Sequence, residues 1–168
     1  MNNSLVVVFK SHKEADEGLK ELQKSGFDMK KLSVIGKDHY AKTGVSAHYV
    51  VNEKPKFFGS QFWNSLPYDK GLFVVPGSGP FGVGGPMVAL IDESLENSED
   101  GEGKEETINI FDKALNNIGI PKEKIPEYQT YLAEEKYLLI VHGAPEDIKE
   151  ADRVITKYNP LSTVTYEY

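Results

Sequence analysis

Cysteine is absent from the 168 residues of this chain. Its absence excludes disulfide bonds, thiolate zinc sites and cysteine nucleophiles, and it fits the reducing cytoplasm, where we expect the protein to act. Positive charge is scarce as well, since 19 Lys and Arg stand against 26 Asp and Glu and the net charge is −7. A nucleic-acid-binding surface needs cations clustered against phosphates. We therefore expect no nucleic-acid partner.

Long hydrophobic runs are also lacking. The apolar run near the start of the chain, Leu5 to Phe9, has no basic segment before it and is too short for the core of a signal peptide. A longer uncharged stretch covers residues 71–91, but its six glycines and three prolines disfavour a helix that would span a membrane. The overall composition, 39% hydrophobic and 27% charged, is typical of a folded globular domain.

Two similar stretches open and close the chain. Residues 137–166 read as strand, helix and strand, and residues 4–37 show the same order, with the tripeptide Glu-Ala-Asp in each helix. Two such units predict an α+β fold with a ferredoxin-like βαβ…βαβ core of four strands and two helices. A parallel α/β sheet has the same order of elements and is the alternative. We treat residues 1–168 as a single domain whose core consists of these two halves.

Local signals define the two helices of this core. Ser11 can cap the first helix, and Glu14 three residues later completes a capping box. Pro145 suits the first turn of the second helix, which Asn159 and Pro160 end. Each helix carries one apolar stripe, so we expect both to pack on the sheet. The stripes are Ala15, Leu19 and Leu22 in the first helix, and Ile148, Ala151, Ile155 and Tyr158 in the second.

A long insertion, residues 38–136, separates the two halves. Its residues 92–106 include eight acidic side chains and are interpreted as a solvated loop. An aromatic cluster with helical spacing is a candidate interaction surface for core, dimer or membrane contacts: Phe57, Phe58, Phe62 and Trp63. The other predicted elements are a strand at 47–51, two strands at 72–75 and 87–91 joined by a Gly-Pro turn, and helices at 108–118 and 121–135.

One glycine-rich run matches a nucleotide-binding pattern. Gly77, Gly79 and Gly82 have the spacing G-x-G-x-x-G, whose third glycine must open a helix that points at a pyrophosphate. Pro80 removes a backbone N–H from this run and a poor helix former follows it, so a turn or a tight packing segment is the favoured interpretation. We expect no cofactor, and these three glycines are the candidate binding residues if there is one.

The histidines form no recognisable catalytic or metal-binding set. His39 and His48 are nine residues apart, a spacing that does not bring two ligands together on a helix or a strand, so we expect no metal. His142 ends a buried strand, where we expect it to bond a backbone group at the sheet edge. As a general base it lacks an evident partner, and an enzyme is the least supported class of protein.

Several segments together resemble a known family. They are Ala15, Leu19 and Leu22 with residues 26–37, residues 76–80 with Gly85 and Pro86, residues 118–122 with Tyr128, and residues 136–143. In these segments the chain resembles the bacterial general stress protein (17M-like, heat-induced stress protein) family of unknown function. The resemblance implies a stress-associated protein and supplies no catalytic residues. The middle segment of that family is long and apolar enough to look membrane-embedded, whereas prolines and acidic residues interrupt it here.

These observations predict a non-enzymatic protein that acts through self-assembly or protein contacts. The four-stranded core leaves one sheet face without helices, and the strand at 138–141 is apolar on both faces. The insertion or a second subunit must cover that face, and we expect a homodimer. Two alternatives stay open: a small-ligand sensor whose pocket the Gly-rich stretch lines, and peripheral membrane attachment through the aromatic cluster and residues 71–91.

Overall fold

The computed structural model of the chain describes residues 3–37, 50–51, 70–75, 79–90 and 112–167. Its elements in chain order are β1 (Asn3–Phe9), α1 (His12–Lys24), β2 (Leu32–Lys37), β3 (Val50–Val51), β4 (Lys70–Val75), β5 (Gly79–Gly84), α2 (Ile125–Ala133), β6 (Tyr137–Gly143), α3 (Pro145–Ile155) and β7 (Ser162–Glu167). Short 3-10 helices, Met29–Lys31 and Thr156–Tyr158, precede β2 and follow α3. Residues 86–90 and 112–117 are also helical.

The seven strands within the described residues belong to one sheet with the order β3-β4-β5-β2-β6-β1-β7. Every neighbouring pair is antiparallel. The predicted α+β class is therefore confirmed, and the parallel α/β alternative is wrong. The order is not that of a simple four-stranded ferredoxin-like sheet, because the insertion adds β3, β4 and β5 beyond β2.

One face of the sheet is covered by α1 and α3. Ser11 Oγ accepts a hydrogen bond from Glu14 N at 3.4 Å, which caps α1 as the sequence predicts. The buried stripes of both helices pack against alternate residues of β1, β2 and β6, as the period of two along a strand requires. The core on this side is formed by Leu5, Val7, Phe9, Ala15, Leu19, Leu22, Phe27, Met29, Leu32, Val34, Tyr137, Leu139, Val141, Ile148, Ala151, Val154 and Ile155.

The other face is covered by the insertion of the same chain. The intervening residues of β1, β2 and β6 pack there against β5, the helical segments 86–90 and 112–117, and α2. This second core is formed by Val6, Val8, Ile35, Phe81, Val83, Met87, Val88, Ala114, Leu115, Ile118, Ile120, Ile125, Tyr128, Leu132, Leu138 and Ile140. The apolar face that suggested a dimer thus has a cover within the chain, and a dimer contact must lie elsewhere.

The insertion differs from its prediction between β4 and residue 90. The strand predicted at 87–91 is wrong, because residues 86–90 are helical and the strand that pairs with β4 is β5. A short apolar run fits a buried strand and a buried helical turn equally well. Pro86 favours the helical turn, since its fixed φ suits the first turn and its missing N–H is not needed there.

The other predicted elements of the insertion are found in shortened form. The described part of the strand predicted at 47–51 is β3. The helix predicted at 121–135 is found as the shorter α2. The described part of the helix predicted at 108–118 is helical over residues 112–117. The acidic stretch, 92–106, lies outside the described residues.

An ion pair joins α3 to the start of β2. Lys31 Nζ lies 2.9 Å from Asp147 Oδ1, and Asp147 Oδ2 accepts a hydrogen bond from Ala144 N at 3.0 Å. The hydrogen bond from Lys31 lowers the pKa of Asp147, and the same contact raises the pKa of Lys31. The pair therefore links the two helix-bearing halves of the chain with an acid-sensitive contact.

Replacing Asp147 by asparagine should cause a small loss of stability at neutral pH, of the size usual for partly exposed ion pairs. The pKa of this carboxyl is lower in the folded than in the unfolded protein, so its contribution is present above the unfolded pKa near 3.8 and is lost as the pH falls through the folded pKa. The free energy of unfolding, measured in urea at several pH values, should therefore fall less at acid pH for D147N than for the wild type. Glu127→Gln, which removes the looser Lys124–Glu127 pair (3.8 Å), is the control. An unchanged acid profile in D147N would contradict the assignment.

Candidate functional site

A row of polar side chains crosses the insertion-covered face near one end of the sheet. Ser4 on β1 lies between Tyr166 on β7 and His142 on β6 in the strand register. Ser33 on β2 lies diagonally across from His142, since its own register partner is Ile140. We call these four residues the polar row. They interrupt an otherwise apolar face, which makes them the strongest candidate for a functional site.

Ser33 is the centre of the polar row. Its fully buried hydroxyl oxygen accepts a hydrogen bond from Met87 N at 3.0 Å and lies 3.3 Å from His142 Nε2. A backbone N–H can only donate, so the Ser33 oxygen must accept there. The hydroxyl proton is then free to be donated to Nε2 of a neutral imidazole. Ser33 in this way connects β2, β6 and the helical segment 86–90.

His142 is neutral at physiological pH. Burial lowers its pKa to about 4, because the charged imidazolium loses its hydration inside the protein. We expected a backbone partner at the sheet edge, but β6 is an interior strand and the hydrogen-bond partner is the Ser33 side chain. Among the described residues no ion pair involves His142.

The Ser33–His142 pair does not have the geometry of a nucleophile and its base. Ser33 has no exposed surface, so no substrate atom can reach its oxygen. The part of the chain that the structure describes places no carboxylate on His142 to orient its ring. Ser4 Oγ, next to His142 in the register, is also buried and has no hydrogen-bond partner among the described atoms. The row is therefore a set of internal contacts between strands and insertion.

The other end of the polar row contacts α2. Tyr166 and Tyr128 share a hydrogen bond between their hydroxyls at 2.7 Å, and their rings meet edge-on at a centroid distance of 6.5 Å. Burial of Tyr128 raises its pKa, so this phenol stays neutral. The pair attaches the edge strand β7 to the insertion. The alternation of Ser162, Val164 and Tyr166 with Leu161, Thr163 and Thr165 is a signal in the sequence that could have placed Tyr166 on this face.

A cleft of about 420 Å³ lies between the helical segment 112–117 and the start of α2. Its lining consists of Asp112, Lys113, Asn116, Asn117, Lys122, Ile125 and Pro126. Asp112 accepts a hydrogen bond from Gln129 Nε2, and burial raises the pKa of the Asp112 carboxyl. The cleft is separate from the Gly-rich stretch, which the sequence suggested as the lining of a pocket.

The glycine-rich run forms part of the sheet. Gly79 and Gly82 lie in β5, where Gly82 is opposite Leu72 on one side and Gly36 on the other. The third glycine of the pattern therefore lies inside a strand and opens no helix. Gly77 lies outside the described residues, as do the aromatic residues Phe57, Phe58, Phe62 and Trp63 and the histidines His39 and His48.

The edge strand β7 and the residue before it carry exposed apolar side chains. Within residues 3–37, 50–51, 70–75, 79–90 and 112–167, β7 pairs with β1 alone and its outer edge is free. Val164 is 37% exposed at the middle of the strand, and Leu161 just before it is 48% exposed. These are the large hydrophobic side chains that the described surface exposes.

Comparisons with protein-family models, with curated proteins and with solved structures found no match. The resemblance to the general stress protein family therefore stays a prediction. Among the described residues, no helix has the length and apolar character needed to cross a membrane. The same residues contain no group of three or more His, Asp or Glu side chains that could hold a metal ion.

Proposed function

We propose that this protein is non-enzymatic and acts through self-assembly, in which β7 of one copy pairs with β7 of a second copy. The observation that carries the proposal is that no described strand pairs with the outer edge of β7, at whose centre Val164 is exposed. An edge strand presents unpaired N–H and C=O groups, and a second strand can satisfy them. The homodimer expected from the sequence would then form at the sheet edge.

The composition of β7 supports pairing. Proteins commonly protect free edges with proline, lysine, bulges or very short strands. β7 is six residues long and contains no proline or lysine. Thr163, Val164 and Thr165 have β-branched side chains, which favour extended backbone. The strand thus lacks the usual devices that prevent a second strand from adding to a sheet.

Charge also favours this edge over other surfaces. Because the net charge is −7, two copies repel each other in most relative orientations. The central residues of β7 are uncharged, and Glu167 at its end is the single charged residue of the strand. Antiparallel pairing about a two-fold axis brings this neutral strand against itself, and such closed symmetric dimers are the commonest oligomers.

We infer that the two halves form a ferredoxin-like core, which the insertion extends. The inference is supported by the order β2-β6-β1-β7 and by the packing of α1 and α3 on one face. In this arrangement β7 is the outer strand of the core and lies at the opposite edge from the strands of the insertion. The resemblance to the general stress protein family supports a stress-associated role, and the lack of cysteine suits the cytoplasm.

Light scattering after size-exclusion chromatography tests the assembly. At micromolar concentration we expect twice the chain mass for the wild type and the chain mass for Val164→Lys, because the edge then carries two buried like charges across the axis. Gln23→Lys adds the same charge on the exposed surface of α1 and should stay dimeric. A wild type that is monomeric at micromolar concentration, or a dimeric V164K protein, would overturn the proposal.

A second candidate function, small-ligand binding, is favoured by the cleft at Asp112. Its volume suits a small metabolite, and Lys122 and Asn116 offer polar contacts over an apolar floor. Thermal-shift screening with nucleotides, amino acids and inorganic anions tests it. A stabilising compound should lose its effect in Lys122→Ala, whereas Lys157→Ala, an exposed lysine beyond α3, should leave it intact. A thermal shift that K122A does not change would show that the compound binds outside this cleft.

A further inference from the structure

The helical segment 86–90 contacts the sheet through buried side chains and through a hydrogen bond to Ser33. Met87 and Val88 are buried in the second core, on the sheet face that the insertion covers. Met87 N donates its hydrogen bond to Ser33 Oγ, and Gly85 lies directly against the backbone of β2. The side-chain contact that fixes the first turn of the segment is thus the Ser33 hydroxyl, which His142 also contacts.

The protonation state of His142 decides whether this set of hydrogen bonds can be complete. In neutral imidazole one ring nitrogen accepts, so Nε2 can take the Ser33 proton while the Ser33 oxygen accepts from Met87 N. In imidazolium both ring nitrogens donate. The Ser33 oxygen has two lone pairs and can accept from both Nε2–H and Met87 N, but the buried Ser33 proton then loses its acceptor on the imidazole. The buried Ser33 hydroxyl is costly to leave without an acceptor, and an unpaired charge on the half-buried His142 ring is also unfavourable.

The described groups around His142 carry no negative charge that would offset a positive charge on its ring. Ser4 on β1 and Ser33 on β2 are neutral, and Tyr166 on β7 is engaged with Tyr128 on α2. The nearest acidic residue along the chain, Asp147 at the start of α3, is paired with Lys31 on the other side of β6. Among the described residues, His142 therefore has no carboxylate partner that would stabilise its protonated form.

We propose that Ser33 and His142 form an acid-sensitive latch, which holds the segment 86–90 on the sheet at neutral pH and releases it when the imidazole is protonated. Release uncovers Met87, Val88 and the apolar residues of β2 and β6 beneath them. The proposal concerns the insertion and is independent of assembly at β7.

The direction of the pH effect follows from linkage. Burial lowers the pKa of His142 to about 4 from an ordinary value of 6.5. Between these two values the opened or unfolded chain binds more protons than the closed one, so the closed state loses stability as the pH falls. Above the ordinary value the imidazole is neutral in both states and the latch is closed.

Hydrogen exchange tests the latch at the peptide that contains residues 83–90. After correction for the intrinsic pH dependence of exchange, lowering the pH from 7 to 5 should raise its opening about tenfold. His142→Gln, a neutral side chain that can still accept from Ser33, should abolish most of this rise. The triple variant H12Q/H39Q/H48Q, in which His142 is the single histidine, should retain it.

Several outcomes would overturn the proposal. An equal rise in H142Q would show that another group causes the opening, and a rise that disappears in the triple variant would assign it to one of the other histidines. No rise in the wild type would show that protonation does not open the segment. Circular dichroism at pH 7 checks that each variant is folded, and if H142Q is not, the triple variant and an NMR titration of its one imidazole decide the question.

Discussion

Replacing Gly85 by alanine should lower the free energy of unfolding by about 3 kcal/mol or more. The backbone at Gly85 has φ of +94°, which residues with a Cβ rarely adopt. A Cβ at this position would also lie 1.9 Å from the carbonyl oxygen of Leu32 and 2.8 Å from Ser33 Cα. Both contacts are with backbone of an interior strand, so no side-chain rotation can relieve them. Urea unfolding of the two proteins measures the loss.

Gly26 provides the matched control for this substitution. Its φ of +86° is close to that of Gly85, but a Cβ there would meet no atom within 4 Å. Gly26→Ala therefore measures the cost of the left-handed backbone alone, about 1 kcal/mol. The difference between the two variants is the cost of pushing the segment 86–90 away from β2. If G85A and G26A lost the same amount of stability, the close contact of Gly85 with Leu32 and Ser33 would be contradicted.

The elements that the sequence predicts well are those whose signals are local. Ser11 and Glu14 mark the start of α1, and Pro145 with the acidic residue Asp147 marks the start of α3. The strands β1 and β6 have continuous apolar runs, as expected for strands covered on both faces. Caps and periodic patterns depend on residues within a few positions of each other, so one sequence is sufficient to recognise them.

The cover of the second sheet face could not be predicted in the same way. The sequence showed that the face needs a cover, but it did not distinguish the insertion from a second subunit. That choice depends on the packing of α2 and the segments 86–90 and 112–117 against β1 and β6. These contacts join residues far apart in the chain, and apolar composition alone does not specify partners. The misassigned strand at 87–91 belongs to the same problem, because burial on the sheet suits a helical turn as well.

The polar row was also beyond local reasoning. Its members Ser4, Ser33, His142 and Tyr166 meet only because the register of β1 with β6 and β7, and of β2 with β6, aligns them. A shift of one residue in any of these pairings would move a member to the other face. The sequence therefore identified His142 as a residue of interest and could not identify Ser33 as its partner.

Replacing Gly36 by alanine should destabilise the protein by about 2 to 3 kcal/mol, and removing the Tyr137 ring should abolish this effect. The Tyr137 ring lies across Gly36 in the neighbouring strand, and a Cβ on Gly36 would lie 2.0 Å from Tyr137 Cδ1. The conflict here is with a side chain, whereas at Gly85 it is with backbone. A double-mutant cycle separates the two cases by urea unfolding.

The cycle uses G36A, Tyr137→Ala and the double variant. Tyr137→Ala alone should cost about 3 kcal/mol or more, since the ring is buried in the core under α1 and α3. The double variant should be no less stable than Y137A, which gives a coupling energy of about 2 kcal/mol. Gly36 would then be required by the packing of one aromatic ring and not by its own backbone conformation. Additive losses would show instead that the cost of a side chain at residue 36 does not come from the Tyr137 ring.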